Sequence, residues 1–170
     1  MFSFRCRNCS KLHEGIPAFV WDYPLQYLQV PEGERPHRCS LTSDTCVIDD
    51  DAFFVRGCLE IPVIGEEQTF SWGVWTSLSE KNFRHFLELF AEPKRSQHGP
   101  FFGWLCSHIW LYPDTVNLKT MVHLRDGGIR PFIELEPTDH PLAVEQRSGI
   151  TLDRVVDIYE KMIHPPQDAG

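Results

Sequence analysis

The sequence lacks most of the marks by which a chain declares its chemistry. It holds no Walker loop, no dinucleotide-binding glycine pattern, no nucleophile elbow and no His-Glu-x-x-His, which argues against the nucleotide, hydride-transfer, serine-hydrolase and zincin chemistries that depend on them. No stretch approaches the ~18 consecutive apolar residues of a membrane span, and residues 1–15 have no apolar signal-peptide core. A cytoplasmic protein without membrane association is expected. Repeats and low-complexity runs are missing too, and the thirteen prolines are scattered as turn punctuation. Basic charge is scarce: the net charge is −8, and between residues 41 and 80 the one Lys or Arg is Arg56, against eight Asp and Glu. Phosphate-backbone recognition needs a basic patch, so nucleic acid is not the expected partner. A protein partner is, through either the N-terminal segment or the acidic hairpin of residues 49–67.

What remains is a 170-residue chain with 42% hydrophobic and 24% charged residues, long enough for one core and short for two full domains. Its texture changes near residue 45. Before that point Pro17, Pro24, Pro31 and Pro36 interrupt the backbone, leaving room for one helical turn around residues 23–28. After it, "CVIDDDAFFVRGCLEIPV" and "TFSWGVWTSL" read as a long hairpin turning at residues 65–68. Phe83, Phe86, Leu87 and Phe90 then recur at helical spacing, and Ser77 with Glu80 has capping-box spacing, which predicts a helix over 78–90.

The aromatic stretch "SQHGPFFGWLCSHIWLYPDT" reads as irregular, a buried-sided loop with a short strand or turn. "LKTMVHLRDGGIRPFIELEP" predicts a second hairpin turning at Asp126, Gly127 and Gly128, with Val122, Leu124, Ile133 and Leu135 on its buried face. "HPLAVEQRSG" predicts a short helix closed by Gly149, and "ITLDRVVDIYEKMIH" a helix capped by Thr151 with Val155, Val156, Tyr159, Met162 and Ile163 inward. The expected fold class is α+β: an antiparallel sheet covered by the helices 78–90 and 151–163, with a small N-terminal zinc-binding module. Residues 1–46 are expected to form the zinc-ribbon-like module and residues 47–166 the α+β core, packed as one unit.

The six cysteines carry the sharpest chemical signal. In a reducing compartment closely spaced thiols serve as metal ligands or catalytic groups more often than as disulfides. Cys6 and Cys9, at x2 spacing, let one turn present two thiolates to a single ion, and His13 follows closely enough to add a nitrogen. Cys39 and Cys46 lie across the proline-broken segment that a metal would tie down. The preferred set is Cys6, Cys9, His13 and Cys46, with Cys39 or His37 as substitutes, around a structural Zn2+. Unligated thiols are the bland alternative, and a redox pair fits poorly because no strand leads "CRNC" into a helix. Four protein ligands exclude a water and make the ion structural; with His13 free, an open position would revive catalysis. Cys58 and Cys106 sit in apolar runs and read as small buried hydrophobes.

The stretches "CRNCSKLH", "SDTCVID", "FFVRGCLEIPV", "WGVWTSLSEKNF", "FFGWL" and "IELEPTDHPLAVEQRSGIT" resemble the bacterial domain of unknown function 2199 family over nearly the whole chain. The resemblance implies that the Cys-His segment and "SDTC" belong to one design, which favours Cys46 over Cys39. It implies no activity. The family pattern often places Gly after the second Cys, where this chain has Ser10.

The densest polar stretch is "ELEPTDHPLAVEQR". Asp139, His140 and Arg147 there are candidate binding residues, and the region from Glu134 to His140 is the alternative seat of a metal-dependent or acid/base, hydrolase-like enzyme. Against this, Thr138 or Asp139 can cap the next helix, and Glu134 and Glu136 can pair with Lys119 or Arg130. The leading expectation is therefore a binding or regulatory protein with a structural Cys/His site.

Overall fold

The computed structural model describes residues 2–165. In chain order the elements are β1 (Ser3–Arg5), β2 (Leu12–Glu14), β3 (Ala18–Val20), α1 (Leu25–Gln29), a 3-10 turn (Glu32–Glu34), α2 (Arg35–Arg38), β4 (Cys39–Leu41), β5 (Thr45–Ile48), β6 (Ala52–Ile61), β7 (Phe70–Leu78), α3 (Glu80–Glu88), β8 (Phe101–Leu105), β9 (Lys119–His123), β10 (Phe132–Leu135), α4 (Pro141–Ser148) and α5 (Leu152–Ile163). The class is α+β. None of the described helices is long and apolar enough to cross a membrane.

The expected open sheet covered by two helices is corrected: β6 to β10 form a closed barrel. Each successive pair is antiparallel, from Phe53↔Leu78 through Thr76↔Leu105, Phe101↔Val122 and Ile133↔Val122, and β10 then pairs with β6 at Phe132↔Cys58. In an up-and-down run of five strands the first and last point the same way, so the closing seam has to be parallel. It is, and closure removes the exposed edges that an open sheet would leave. Outside the barrel, β3 extends the sheet parallel to β7, and β5 and β4 extend it from β6.

The period-2 pattern of the strands sorts side chains into two cores. Val55, Leu59 and Ile61 of β6 and Phe70, Trp72 and Val74 of β7 fill the barrel with Leu105, Val122, Ile133 and Leu135. On the opposite faces Phe54 and Trp75 join Cys46, Ile48, Cys106 and Val30 in a smaller cluster. Gly57 lies at the seam: a Cβ there would stand 2.5 Å from Ile133 Cδ1 and 2.9 Å from the Pro131 carbonyl oxygen, which accepts the Cys58 N–H. Only a residue without a side chain lets β6 and β10 approach this closely.

Several boundaries move for identifiable reasons. β7 runs on to Leu78, so α3 starts later than expected, and its cap is Ser79, whose Oγ accepts the Asn82 N–H, in place of Ser77. The run read as one strand from Cys46 splits at Asp49 and Asp50, which take the left-handed conformation that aspartate tolerates. The aromatic segment read as irregular contains β8: Phe101, Gly103 and Leu105 face the barrel, while Phe102 and Trp104 face outward. In α5 the buried residues are Val155, Ile158 and Glu160, whereas Ile163 is exposed.

Candidate metal centre

The N-terminal strands β1 and β2 form a hairpin with Phe4 opposite His13. Between them the chain turns through a knuckle: the Cys6 N–H donates to Lys11 O and the Ser10 N–H to Cys6 O, both at 2.9 Å. Ser10 has φ 59°, the left-handed region in which glycine is at ease. Ser10 occupies it with the Arg5 guanidinium donating to its carbonyl at 2.6 Å.

Helix α5 grips this knuckle from the other end of the sequence. The Arg7 N–H donates to Glu160 Oε1 at 2.6 Å, and the Arg7 guanidinium donates to Oε2 at 2.8 Å through Nε and 2.7 Å through its terminal nitrogen. Glu160 is 5% exposed, so its charge is compensated inside the contact. Its carboxyl is held below the usual range first by the Arg7 guanidinium and then by the Arg7 backbone N–H, with burial opposing. The residue before it, Tyr159, packs against His13 with ring centroids 4.6 Å apart and edge-on against Phe4 at 5.2 Å.

This docking brings three candidate ligands together. Cys6 Sγ, Cys9 Sγ and a ring nitrogen of His164 all lie within 4.8 Å of one another. His164 is the residue at which α5 ends, its N–H donating to Glu160 O at 2.8 Å, and its Nε2 is buried with no hydrogen-bond partner among the described residues. His13 stands beside the group: Nε2 is 3.8 Å from Cys9 Sγ, and Nδ1 is 2.8 Å from the Tyr159 hydroxyl. For comparison, tetrahedral zinc with Zn–S of about 2.3 Å and Zn–N of about 2.0–2.1 Å sets its sulfur and nitrogen ligands roughly 3.5 Å apart. Burial raises the Cys6 thiol, but the backbone N–H groups of Cys9 and Asn8 more than offset it, so the net shift is downward, toward the thiolate. The same sulfurs, after burial, push the Tyr159 phenol up and keep it a neutral hydrogen-bonding group.

Of the expected ligands, the structure unites Cys6 and Cys9 and sets His13 beside them. It does not bring Cys46 to them. Cys46 lies in β5 opposite Phe54 and Leu41, fully buried in the smaller core. Its thiol is pushed up to about 12 by burial and then by the neighbouring Cys39, the reverse of what a ligand thiolate needs. Cys39 belongs to the same cluster, and His37 lies exposed in α2. Cys106 is likewise raised, to about 11, by burial. All six cysteines are free thiols.

The third residue grouped with Cys6 and Cys9 is His164 and not Cys46, and sequence reasoning missed it. The histidine sits at the end of "EKMIH", some 150 residues from the Cys-x2-Cys, and the Arg7–Glu160 contact that docks the two segments leaves no local pattern.

The second expected region is spent on structure. His140 is the N-cap of α4: Nδ1 accepts the Leu142 N–H at 3.2 Å, and Nε2 is 3.2 Å from Pro113 O. Arg147 donates to Thr138 O, and Asp139 is exposed. Glu134 pairs with His123 at 2.6 Å and Glu136 with Lys119 at 3.7 Å, along a shallow groove of about 300 Å3 whose apolar wall is Phe102 and Met121. The acid, base and imidazole therefore do not converge.

A family described as an uncharacterized protein conserved in bacteria (DUF2199) matches residues 5–150, and the chain belongs to it. The matched span includes Cys6, Cys9 and His13 and ends before His164. No curated protein and no solved structure matches the chain.

Proposed function

We propose that this member of the DUF2199 family is a cytoplasmic zinc-binding protein whose Cys6, Cys9, His13 and His164 hold one structural Zn2+, and that the barrel so braced serves as a binding or regulatory module for a protein partner. The observation that carries the metal reading is the His164 ring, which sets a nitrogen within 4.8 Å of two cysteine sulfurs and whose buried Nε2 has no hydrogen-bond partner among the described residues. A buried ring nitrogen without a partner is costly, and a metal bond is the interaction its neighbours are equipped to supply. Two thiolates with two imidazoles suit zinc by softness and by geometry.

His13 completes the set through Nε2, and its Nδ1–H then donates to the Tyr159 oxygen, the outer contact that fixes a ligating imidazole. With four protein ligands no position remains for a water, so the ion's role is to pin the N-terminal knuckle to the end of α5. The net charge of −8 speaks for a protein partner over nucleic acid.

Elemental analysis of protein purified without added metal tests this. One zinc per chain is expected in the wild type and in Cys39→Ser and Cys46→Ser, with zinc lost from Cys6→Ser, Cys9→Ser and His164→Ala. Tyr159→Phe, which removes only the hydroxyl, should weaken zinc binding by roughly tenfold. Full zinc in His164→Ala, or zinc lost from Cys46→Ser with a normal melting curve, would overturn the assignment.

A further inference from the structure

The net negative charge hides a pocket of the opposite sign, far in the sequence from the cysteine knuckle. A cavity of about 70 Å3 lies among Arg56, Arg95, Arg130, Asp44, Phe86 and Phe90. Arg130 is neutralised by Asp44, with Nε to Oδ1 at 2.7 Å. Neither of the other two guanidiniums makes an ion pair among the described residues, although Asp44, held by Arg130, also feels the charge of Arg56.

Arg95 is 2% exposed and donates only to carbonyl oxygens, those of Arg125, Phe90 and Ile129. Asp126, next to one of these, accepts the Ser96 N–H and makes no ion pair with Arg95. Arg56 is 9% exposed; its Nε has no partner, and its remaining contacts are a 3.3 Å bond to Ser43 O and the Trp75 ring, 5.9 Å below the guanidinium. Burying charge is expensive unless it is balanced, and the three guanidiniums and one carboxylate of this cavity leave two positive charges in excess.

We propose that this pocket is a binding site for a dianionic oxyanion, a phosphate monoester. An excess of two positive charges matches a dianion, and the planar donor fork of arginine suits phosphate oxygens. The cavity holds the headgroup alone. It adjoins a groove of about 340 Å3 that shares Asp44 and Phe90 with it and is bordered by Thr42, Thr45 and the half-exposed Leu87. That groove gives the rest of the ligand an apolar floor with hydroxyls along one edge, so a small organic phosphate should bind more tightly than inorganic phosphate. The site is independent of the metal reading, since none of its residues touches the knuckle.

The test is thermal denaturation and isothermal titration calorimetry of the zinc-replete full chain in phosphate-free buffer. The added anions are inorganic phosphate, phenyl phosphate and, at matched ionic strength, acetate. Both phosphates should raise the melting temperature saturably while acetate does not, with phenyl phosphate binding at least several-fold tighter. Arg56→Met should weaken both at least tenfold and, without phosphate, should melt no lower than the wild type, because it removes an unpartnered buried charge. A purely structural Arg56 would instead give a lower melting temperature in the variant and no phosphate effect in the wild type. Failure of the wild type to respond to either phosphate beyond the acetate control overturns the proposal whatever the variants do. An undiminished response in both Arg56→Met and Arg56→Gln overturns it as well. Tightening by inorganic phosphate alone would restrict the ligand to the free ion and remove the groove from the site.

Discussion

Cys6→Ser should loosen two segments at once, although they lie some 150 residues apart. In native-state hydrogen exchange, amides of residues 4–14 and of residues 159–164 should lose protection together. Amides in the middle of β6, β7 and β9 should keep theirs. A rate increase of about 100-fold, equivalent to about 2.7 kcal/mol, is the expected scale for losing a tightly bound ion that is present well above its dissociation constant. Chelation of the wild type should reproduce the effect.

The reason lies in how little else holds the hairpin. Among the described residues, strands β1 and β2 pair only with each other. Beyond the proposed metal, the polar contacts that fasten them to α5 are the Arg7–Glu160 clamp and the His13–Tyr159 bond. The barrel fills its own interior and does not need them. Increased exchange in residues 4–14 with α5 unchanged would mean that the helix end is not tied to the knuckle.

Gly57→Val should be the most damaging single change away from the metal. The added side chain would meet Ile133, itself wholly buried, and the Pro131 carbonyl that receives the Cys58 N–H. Relief requires β6 and β10 to move apart, which breaks the parallel seam and reopens the barrel. A loss of about 3 kcal/mol or more is expected from overpacking combined with lost pairing, read as the shift in urea midpoint. Gly33→Val, where nothing lies within 4 Å of the new Cβ, is the matched control and should cost little. Equal effects of the two substitutions would contradict a closed barrel.

The parts of this fold that were legible in the sequence are those whose pattern is local. The spacing of Phe83 and Phe86 announces α3, Thr151 announces the start of α5, and the glycines after Asp126 announce the turn between β9 and β10. Closure was not legible, because Phe132↔Cys58 joins residues more than seventy apart and only Gly57 hints at a close approach. Strand β8 was hidden by Phe102 and Trp104, aromatic residues on its exposed face that erase the alternation by which a strand is recognised. The same contrast holds at the candidate metal centre. Cys6, Cys9 and His13 stand out by spacing, whereas Cys46 looked like their partner because it follows a proline-broken segment and because the family resemblance joins "SDTC" to the Cys-His segment. Burial decided otherwise, enclosing Cys46 in apolar surroundings and carrying His164 to the knuckle.

X-ray absorption at the zinc edge reads the ligand set directly. Cys6, Cys9, His13 and His164 should give two sulfurs at about 2.3 Å and two imidazole nitrogens at about 2.0–2.1 Å, and His164→Cys, which keeps four ligands, should change this to three sulfurs and one nitrogen. Three sulfurs in the wild type, or a spectrum unchanged in His164→Cys, would contradict this ligand set.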